Sequence, residues 1–335
     1  MSSQLILVTG VTGFIAGHVV EQLLRAGYHV RGTARSAKVA LLQKTNVPNL
    51  EYVAIDDVAV SDFTEALKGV DAVVHVASPL PGKASVEETM KTAIEGSLNV
   101  LRQAEKAGIK KFVVTSSFGS VLESSLKASF AGLNFTDSDW APTTHEDVLA
   151  NAEDPYYLYF ASKVLAEKAV WDFAREHPNV DVATILPGLV FGPYAAIFPL
   201  PSNVSQLGTN SFPWALINGT APPMAPPYIV DVRDVAKAHV LALGLGPVVQ
   251  PESVGKKRFL INAGIYTWKQ AAEYLKVVRP ELNIQDLDKF ADMPGPISTL
   301  DTSRARDVLK FGEYIDPQTT VVDVADALVT VSKTW

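Results

Sequence analysis

Tyr159-Phe-Ala-Ser-Lys163 sets a phenol and an amine four residues apart in a stretch of helical periodicity, so both side chains project from one face. A phenol near its ordinary pKa of ~10 is a sluggish proton donor. A neighbouring ammonium favours the phenolate and should lower that value. The pair therefore suits proton transfer with a tuned acid. With ten tyrosines in the chain, the spacing alone has little weight. Its weight comes from Thr115-Ser116-Ser117, three hydroxyls at the carboxyl end of a buried strand. Open α/β sheets bind ligands at that end, although the same hydroxyls could simply cap the strand.

A second constellation opens the chain. Thr9-Gly10-Val-Thr12-Gly13-Phe14-Ile15-Ala16-Gly17 follows a strand-like run and starts a helical one. Glycines at these positions let the backbone turn tightly and approach a pyrophosphate, whose charge then faces the helix N-terminus. Ala16 stands where a third glycine is common; small size is what close helix–strand packing needs there. Downstream, no carboxylate occurs between Glu21 and Glu51. An acid at the end of the second strand would accept hydrogen bonds from the ribose hydroxyls of NAD. The chain instead offers Arg35 and Lys38, a two-pronged fork and a point charge suited to the 2′-phosphate of NADPH/NADP+. Asp57 and Val58, after the third strand, are spaced to border an adenine.

These residues need a scaffold that delivers strand ends and helix starts to one edge. Short β-branched runs at 5–9, 29–34, 50–54, 72–77, 112–116 and 182–186 alternate with helical stretches at 14–26, 37–43, 62–67, 86–107 and 158–176. That alternation predicts an α/β fold, a Rossmann-type doubly wound parallel sheet. Continuous apolar strands fit burial on both faces. After about residue 187 prolines interrupt the pattern, and helices return at 232–243, 267–277 and 320–333. We read residues 1–187 as a nucleotide-binding domain carrying the catalytic residues, with the chain re-entering the sheet near 227–245. Residues 188–335 form mainly a smaller C-terminal substrate-binding lobe. The proline-rich stretch reads as packed rather than as a linker, because aromatic and aliphatic residues run through it.

Composition narrows the function classes. The 335 residues carry 47% hydrophobic and 19% charged residues, ordinary for a soluble globular protein. A net charge of −7 argues against nucleic-acid or anionic-membrane partners. The absence of cysteine excludes disulfides, thiolate metal sites and thiol nucleophiles. The six histidines show no metal-ligand spacing, so no metal is expected. No signal peptide or membrane span is read, which makes the expected location cytoplasmic. Asp137 and Asp139, beside Trp140, read as a solvated loop.

Taken in order, T-G-x-x-G-x-x-A, T-S-S and Y-x-x-x-K resemble the extended short-chain dehydrogenase/reductase superfamily. Gly32-Thr-Ala-Arg35, His75-Val76-Ala77-Ser78-Pro79, Gly96-Ser-Leu-Asn99, Pro187-Gly188-Leu189-Val190-Phe-Gly-Pro193 and the 230–239 segment resemble its dihydroflavonol-4-reductase-like branch. The texture around Tyr159 and Trp171 is similar to fungal NADPH-dependent aldehyde and ketone (carbonyl) reductases. The resemblance implies Ser117 and Tyr159 holding a carbonyl oxygen, Lys163 behind them and reaching the nicotinamide ribose, and Asn99 assisting a water or backbone relay, with a plain structural helix residue as the equal alternative for Asn99. It implies cofactor contacts from Val76, Ala77, Ser78 and Thr115, with Pro187, Gly188, Leu189 and Val190 lining the nicotinamide. Hydroxyl donors at that oxygen would stabilise the charge that hydride transfer builds there. The expected reaction is reduction of an aldehyde or ketone to its alcohol, in a monomer or homodimer. Aromatic and proline residues from 191 to 228 would favour aryl or branched carbonyls. Two alternatives share the motifs: a nucleotide-sugar epimerase or dehydratase, which usually favours the acid missing here, and a non-catalytic NADP(H) sensor.

Overall fold

The structure, a computed structural model, describes residues 4–78, 85–247 and 255–335; residues 1–3 and Pro79 of the 75–79 segment lie outside the described residues. In chain order the strands are β1 (Leu5–Thr9), β2 (His29–Ala34), β3 (Leu50–Ala54), β4 (Ala72–His75), β5 (Lys111–Thr115) and β6 (Asn134–Phe135). They continue as β7 (Asp181–Pro187), β8 (Leu189–Phe191), β9 (Tyr228–Asp231), β10 (Arg258–Ile261), β11 (Gly264–Ile265) and β12 (Thr299–Leu300). The helices are α1 (Phe14–Arg25), α2 (Ser36–Leu42), α3 (Val86–Lys106), α4 (His145–Ala150) and α5 (Pro155–Glu176). After them come α6 (Ser211–Ile217), α7 (Val232–Gly244), α8 (Trp268–Val278), α9 (Ser303–Val308) and α10 (Pro317–Ser332).

Seven strands form one parallel sheet in the order β3-β2-β1-β4-β5-β7-β10. The expected Rossmann-type α/β fold is therefore present. Alternation along each strand divides the apolar side chains between two faces. Ile6, Val8, Val113 and Ile185 pack with Val19, Leu23, Val235 and Ala238 from α1 and α7. Leu7, Phe112, Val114 and Val182 pack with Leu98, Leu101, Val170 and Phe173 from α3 and α5. Both faces are thus covered. The chain runs outward from β1 to β2 and β3, then crosses to β4 on the other side of β1. The crevice between β1 and β4 is the switch point at which such sheets take ligands.

Local signals set the helix starts. Ser85 accepts from the backbone N–H of Glu88 to cap α3. Asp154 accepts from Tyr156 and Tyr157, and Pro155 occupies the first helical position, so α5 begins three residues before the 158 start read from periodicity. The helix expected at 62–67 is instead a series of turns. Asp62 folds back onto the backbone and hydroxyl of Thr64, at 2.8 and 2.6 Å, and Gly69 ends the segment at φ +71°.

The second half also departs from its expected layout. The strand that rejoins the main sheet is β10, beside β7, rather than a segment near 227–245. There, β9 pairs with β8 and β11 in a separate three-stranded sheet, and α7 returns to the main sheet as a covering helix. β9 is too short a run, between Pro227 and the Asp231 cap of α7, to be told from loop by periodicity. The proline-rich stretch is packed: Leu207, Leu216 and Ile217 join Phe191, Leu275, Val324 and Leu328 in a third apolar cluster. Leu216→Ala, in α6, should therefore lower stability by about 2–5 kcal/mol in urea unfolding. A loss within about 0.5 kcal/mol, the range for surface substitutions, would mean that the segment behaves as a linker.

Candidate active site

The carboxyl end of β1 and the first turn of α1 form a backbone cradle that could hold an anion. Gly10 lies at φ +70°, and a Cβ there would stand 3.0 Å from the Cβ of Ala77 and 3.1 Å from its Cα. The backbones after β1 and β4 are therefore close enough that only glycine fits. Gly13 precedes α1 with no side-chain cap, so the N–H groups of the first turn, Phe14 and Ile15 among them, have no side-chain partner at the helix start. Thr12 and Gly13 line its accessible side. Thr9, expected among the cofactor contacts, is wholly buried. Its Oγ1 accepts from the N–H of Val76 and Ala77, at 3.1 and 3.0 Å, and lies 2.9 Å from Nδ1 of His75. With both lone pairs occupied, the hydroxyl donates to His75. Thr9 thus holds the walls of the cradle together and does not line it.

At the end of β2, Arg35 and Lys38 are exposed, and Lys38 Nζ lies 3.5 Å from Thr12 Oγ1. Asp56, which the sequence did not single out, stands beside them. Its two oxygens accept from the N–H and Oγ of Ser36, at 2.7 and 2.6 Å, and these bonds hold its carboxyl below the usual carboxylate range. Among the described residues Arg35 makes no ion pair. Asp57 accepts from Ala59 N–H at 2.8 Å in the loop after β3, next to Val58. Asn99 donates to the carbonyls of Val58 and Ser61, at 3.0 and 2.9 Å. Both amide hydrogens are thereby used, so the side chain of Asn99 anchors this loop.

The third group lies at the ends of β4 and β5. Lys163 donates to Ser78 Oγ at 2.8 Å, linking α5 to the loop after β4. Its Nζ stands 5.8 Å from the centroid of the Tyr159 ring. Burial pushes the lysine down to about 8 and raises the Tyr159 phenol above its ordinary value. Removal of the phenol from water thus opposes the lowering expected from the neighbouring cation. Ser117 is buried and accepts from Gly119 N–H at 3.1 Å. Thr115 Oγ1 lies 2.7 Å from His239 Nε2, and His239 Nδ1 donates to the carbonyl of Val235 at 2.8 Å. Burial lowers His75 to about 3 and His239 to about 4, so both are neutral acceptors for threonine hydroxyls. Thr115, Ser116, Ser97, Ser78, Lys163 and Glu167 line one cleft of about 380 Å³.

Beyond β7, Pro187 and Gly188 are buried and Leu189 is half-exposed. Val190 points into the core with Val230 and Val232, so it is not a lining residue. Part of the segment from which an apolar wall was expected lines a cleft together with residues from later in the chain. Phe191, Pro227 and Tyr228 are joined by Tyr266, Trp268 and Met293 around a cleft of about 340 Å³. The last three lie beyond the 191–228 segment. The loop after β6 is corrected as well: Asp137 is buried, and burial raises its carboxyl to about 6.

The description of the NAD dependent epimerase/dehydratase family matches residues 6–253. Aldehyde reductase 2 of Sporidiobolus salmonicolor is 34% identical over 91% of this chain and 90% of its own length. A ketoreductase of Aspergillus niger is 32% identical over 97% of each. The crystal structure of yeast methylglyoxal/isovaleraldehyde reductase complexed with NADPH superposes with a TM-score of 0.82 at 26% identity, covering 99% of this chain and 100% of that one. The cradle can be tested without turnover. Gly10→Ala would place a side chain in a left-handed conformation costing about 1–3 kcal/mol. Fluorescence titration should show dinucleotide binding weakened by about five- to a hundredfold, and a change below about twofold would remove the cradle from the binding site.

Proposed function

The chain belongs to the NAD dependent epimerase/dehydratase family, and we propose that within it this protein reduces an aldehyde or ketone to the alcohol with NADPH. One observation carries the reading. A half-buried lysine, a tyrosine one turn before it and the turn that begins at Ser117, which packs on the same helix, lie beside strand ends near a helix N-terminus without a side-chain cap. The named relatives act on aldehydes and ketones, and the solved neighbour holds NADPH.

The residues fit that cofactor. Gly10, Thr12, Gly13, Phe14 and Ile15 would hold the pyrophosphate, and Asp57 and Val58 would border the adenine. Ser78, Lys163, Pro187, Gly188 and Leu189 would face the nicotinamide half, with Val76, Ala77 and Thr115 forming the floor. Bound there, NADPH supplies the hydride. Ser117 and Tyr159 would donate hydrogen bonds to the carbonyl oxygen, where negative charge develops. Burial keeps the Tyr159 phenol protonated until that charge appears. As the proton leaves, Lys163 lies close enough to balance the phenolate, and at about 8 it is mostly cationic near neutral pH. The apolar cleft around Phe191 and Trp268 supports aryl or branched carbonyls as substrates.

Loss of nicotinamide absorbance with NADPH and an activated aldehyde tests the activity, and Tyr159→Phe tests the acid. The ring would remain to pack, so cofactor binding should persist while most turnover is lost. Turnover within about threefold of wild type, under roughly 1 kcal/mol, would refute the assignment.

Arg35 should select the cofactor. Asp56 is hydrogen-bonded to Ser36, and although its charge is felt by Arg35, the guanidinium makes no ion pair among the described residues. A charge-assisted contact to a 2′-phosphate contributes roughly 1.5–3 kcal/mol, about ten- to a hundredfold, and exposure places Arg35 toward the lower end. Arg35→Asp should therefore reduce kcat/KM strongly with NADPH and little with NADH, measured at one ionic strength. An unmoved preference would make Arg35 a solvated surface charge.

A further inference from the structure

Glu167 lies one turn beyond Lys163 on α5, and its carboxylate is almost wholly buried. Four donors from different parts of the chain meet on it. Ser116 Oγ donates at 2.6 Å, Thr184 Oγ1 at 2.8 Å, Trp171 Nε1 at 3.2 Å and Arg258 Nε at 2.9 Å. We propose that Glu167 is a positioning residue which, through Ser116, sets the Ser117 hydroxyl against Tyr159 and Lys163. The proposal rests on the reductase reading of those three residues.

The hydrogen-bond directions give the coupling its sense. An ionised carboxylate only accepts, so the single Ser116 hydrogen points to Glu167. Ser120 Oγ, 3.1 Å from Ser116 Oγ, must then donate to it. Ser120 lies in the turn that begins at Ser117, and Ser117 accepts from Gly119 in the same turn. The chain Ser120→Ser116→Glu167 therefore ties the turn bearing Ser117 to the helix bearing Tyr159 and Lys163. Burial alone would raise the Glu167 carboxyl, but Arg258 and the two hydroxyls hold it below the usual range, so it stays an acceptor.

Stability does not explain the arrangement well, because a buried ion pair is often no better than apolar packing of the same volume. Geometry does. No apolar side chain could orient donors from β7, β10, α5 and the residue that follows β5 at once. A displacement of about 1 Å at a reacting group can cost about a hundredfold in rate.

Ser116→Ala removes the link while leaving the Glu167–Arg258 pair intact. Three measurements decide the proposal: NADPH affinity by fluorescence, the urea midpoint, and the single-turnover rate of NADPH oxidation per bound cofactor. The expected result is a single-turnover rate lower by about tenfold with NADPH affinity unchanged within twofold. Glu167→Gln should show the same signature, larger, in its folded fraction. A shift in the urea midpoint with the single-turnover rate held within twofold in both variants would overturn the proposal and leave Glu167 a structural residue. If wild type turns over no carbonyl, the reductase reading fails separately. The coupling is then read from the Tyr159 resonance of ¹³C-tyrosine-labelled protein: a shift in Ser116→Ala sustains it, and an unmoved line overturns it.

Discussion

A carboxylate and a guanidinium without access to water organise the middle of this molecule. Arg258, wholly buried on β10, bonds Glu167 on α5 and also donates to the carbonyls of Asp137 and Asp139, at 2.8 and 2.7 Å. Its guanidinium lies 3.5 Å from the centroid of the Trp140 ring, which closes it from solvent. Desolvating two such charges is expensive, and their attraction offsets the expense only if the remaining donors and acceptors are matched. Here they are matched by Ser116, Thr184, Trp171 and two backbone carbonyls. Displacing any of these elements would strand a buried charge, so the pair fixes the sheet, α5 and the loop after β6 in one arrangement.

Around that centre the strand ends are held by neutral polar pairs. Thr9 with His75 and Thr115 with His239 each join a hydroxyl to an imidazole whose burial keeps it uncharged. Neutrality matters because Lys163 stands nearby and its charge further disfavours a proton on His75. The lysine is thus a local cation in a site whose other buried nitrogen bases do not compete for a proton. Under the proposed reductase reading, that would leave the phenol of Tyr159 as the acid with a cation at hand.

The anion cradle follows a different logic, in which side chains are kept away. Gly10 lets two backbone segments touch, Gly13 leaves a helix end open, and Asp56 is turned toward Ser36. Nearby stand backbone N–H groups at the start of α1, Lys38 beside Thr12, and the exposed Arg35 at the end of β2. A phosphate bound there would meet partial positive charge at the helix start and full charges from the lysine and arginine side chains. Among the described residues no helix is long and apolar enough to cross a membrane.

Much of this could be read from the chain. Periodicity fixes β1 to β5, α1, α3 and α5, because a buried parallel strand must be continuously apolar and a covering helix must repeat near 3.6 residues. The glycine turn, Arg35, the serine cluster and Tyr159 with Lys163 are local motifs, visible because their chemistry needs short, fixed spacings. A local hydrogen bond decided against a helix at 62–67, where Asp62 prefers its own backbone. Other features depended on tertiary structure alone. The i,i+4 step from Lys163 to Glu167 is written in the sequence, but its partner Arg258 is 91 residues away and nothing local announces it. The same holds for Asn99, Thr9 and Val190, whose residue types fit either a site or a support. Sequence determined which chemistry was available. Which hydroxyl, amide or carboxylate was left free for it depended on long-range partners, because a polar group can act on a ligand only when the fold has not already satisfied it.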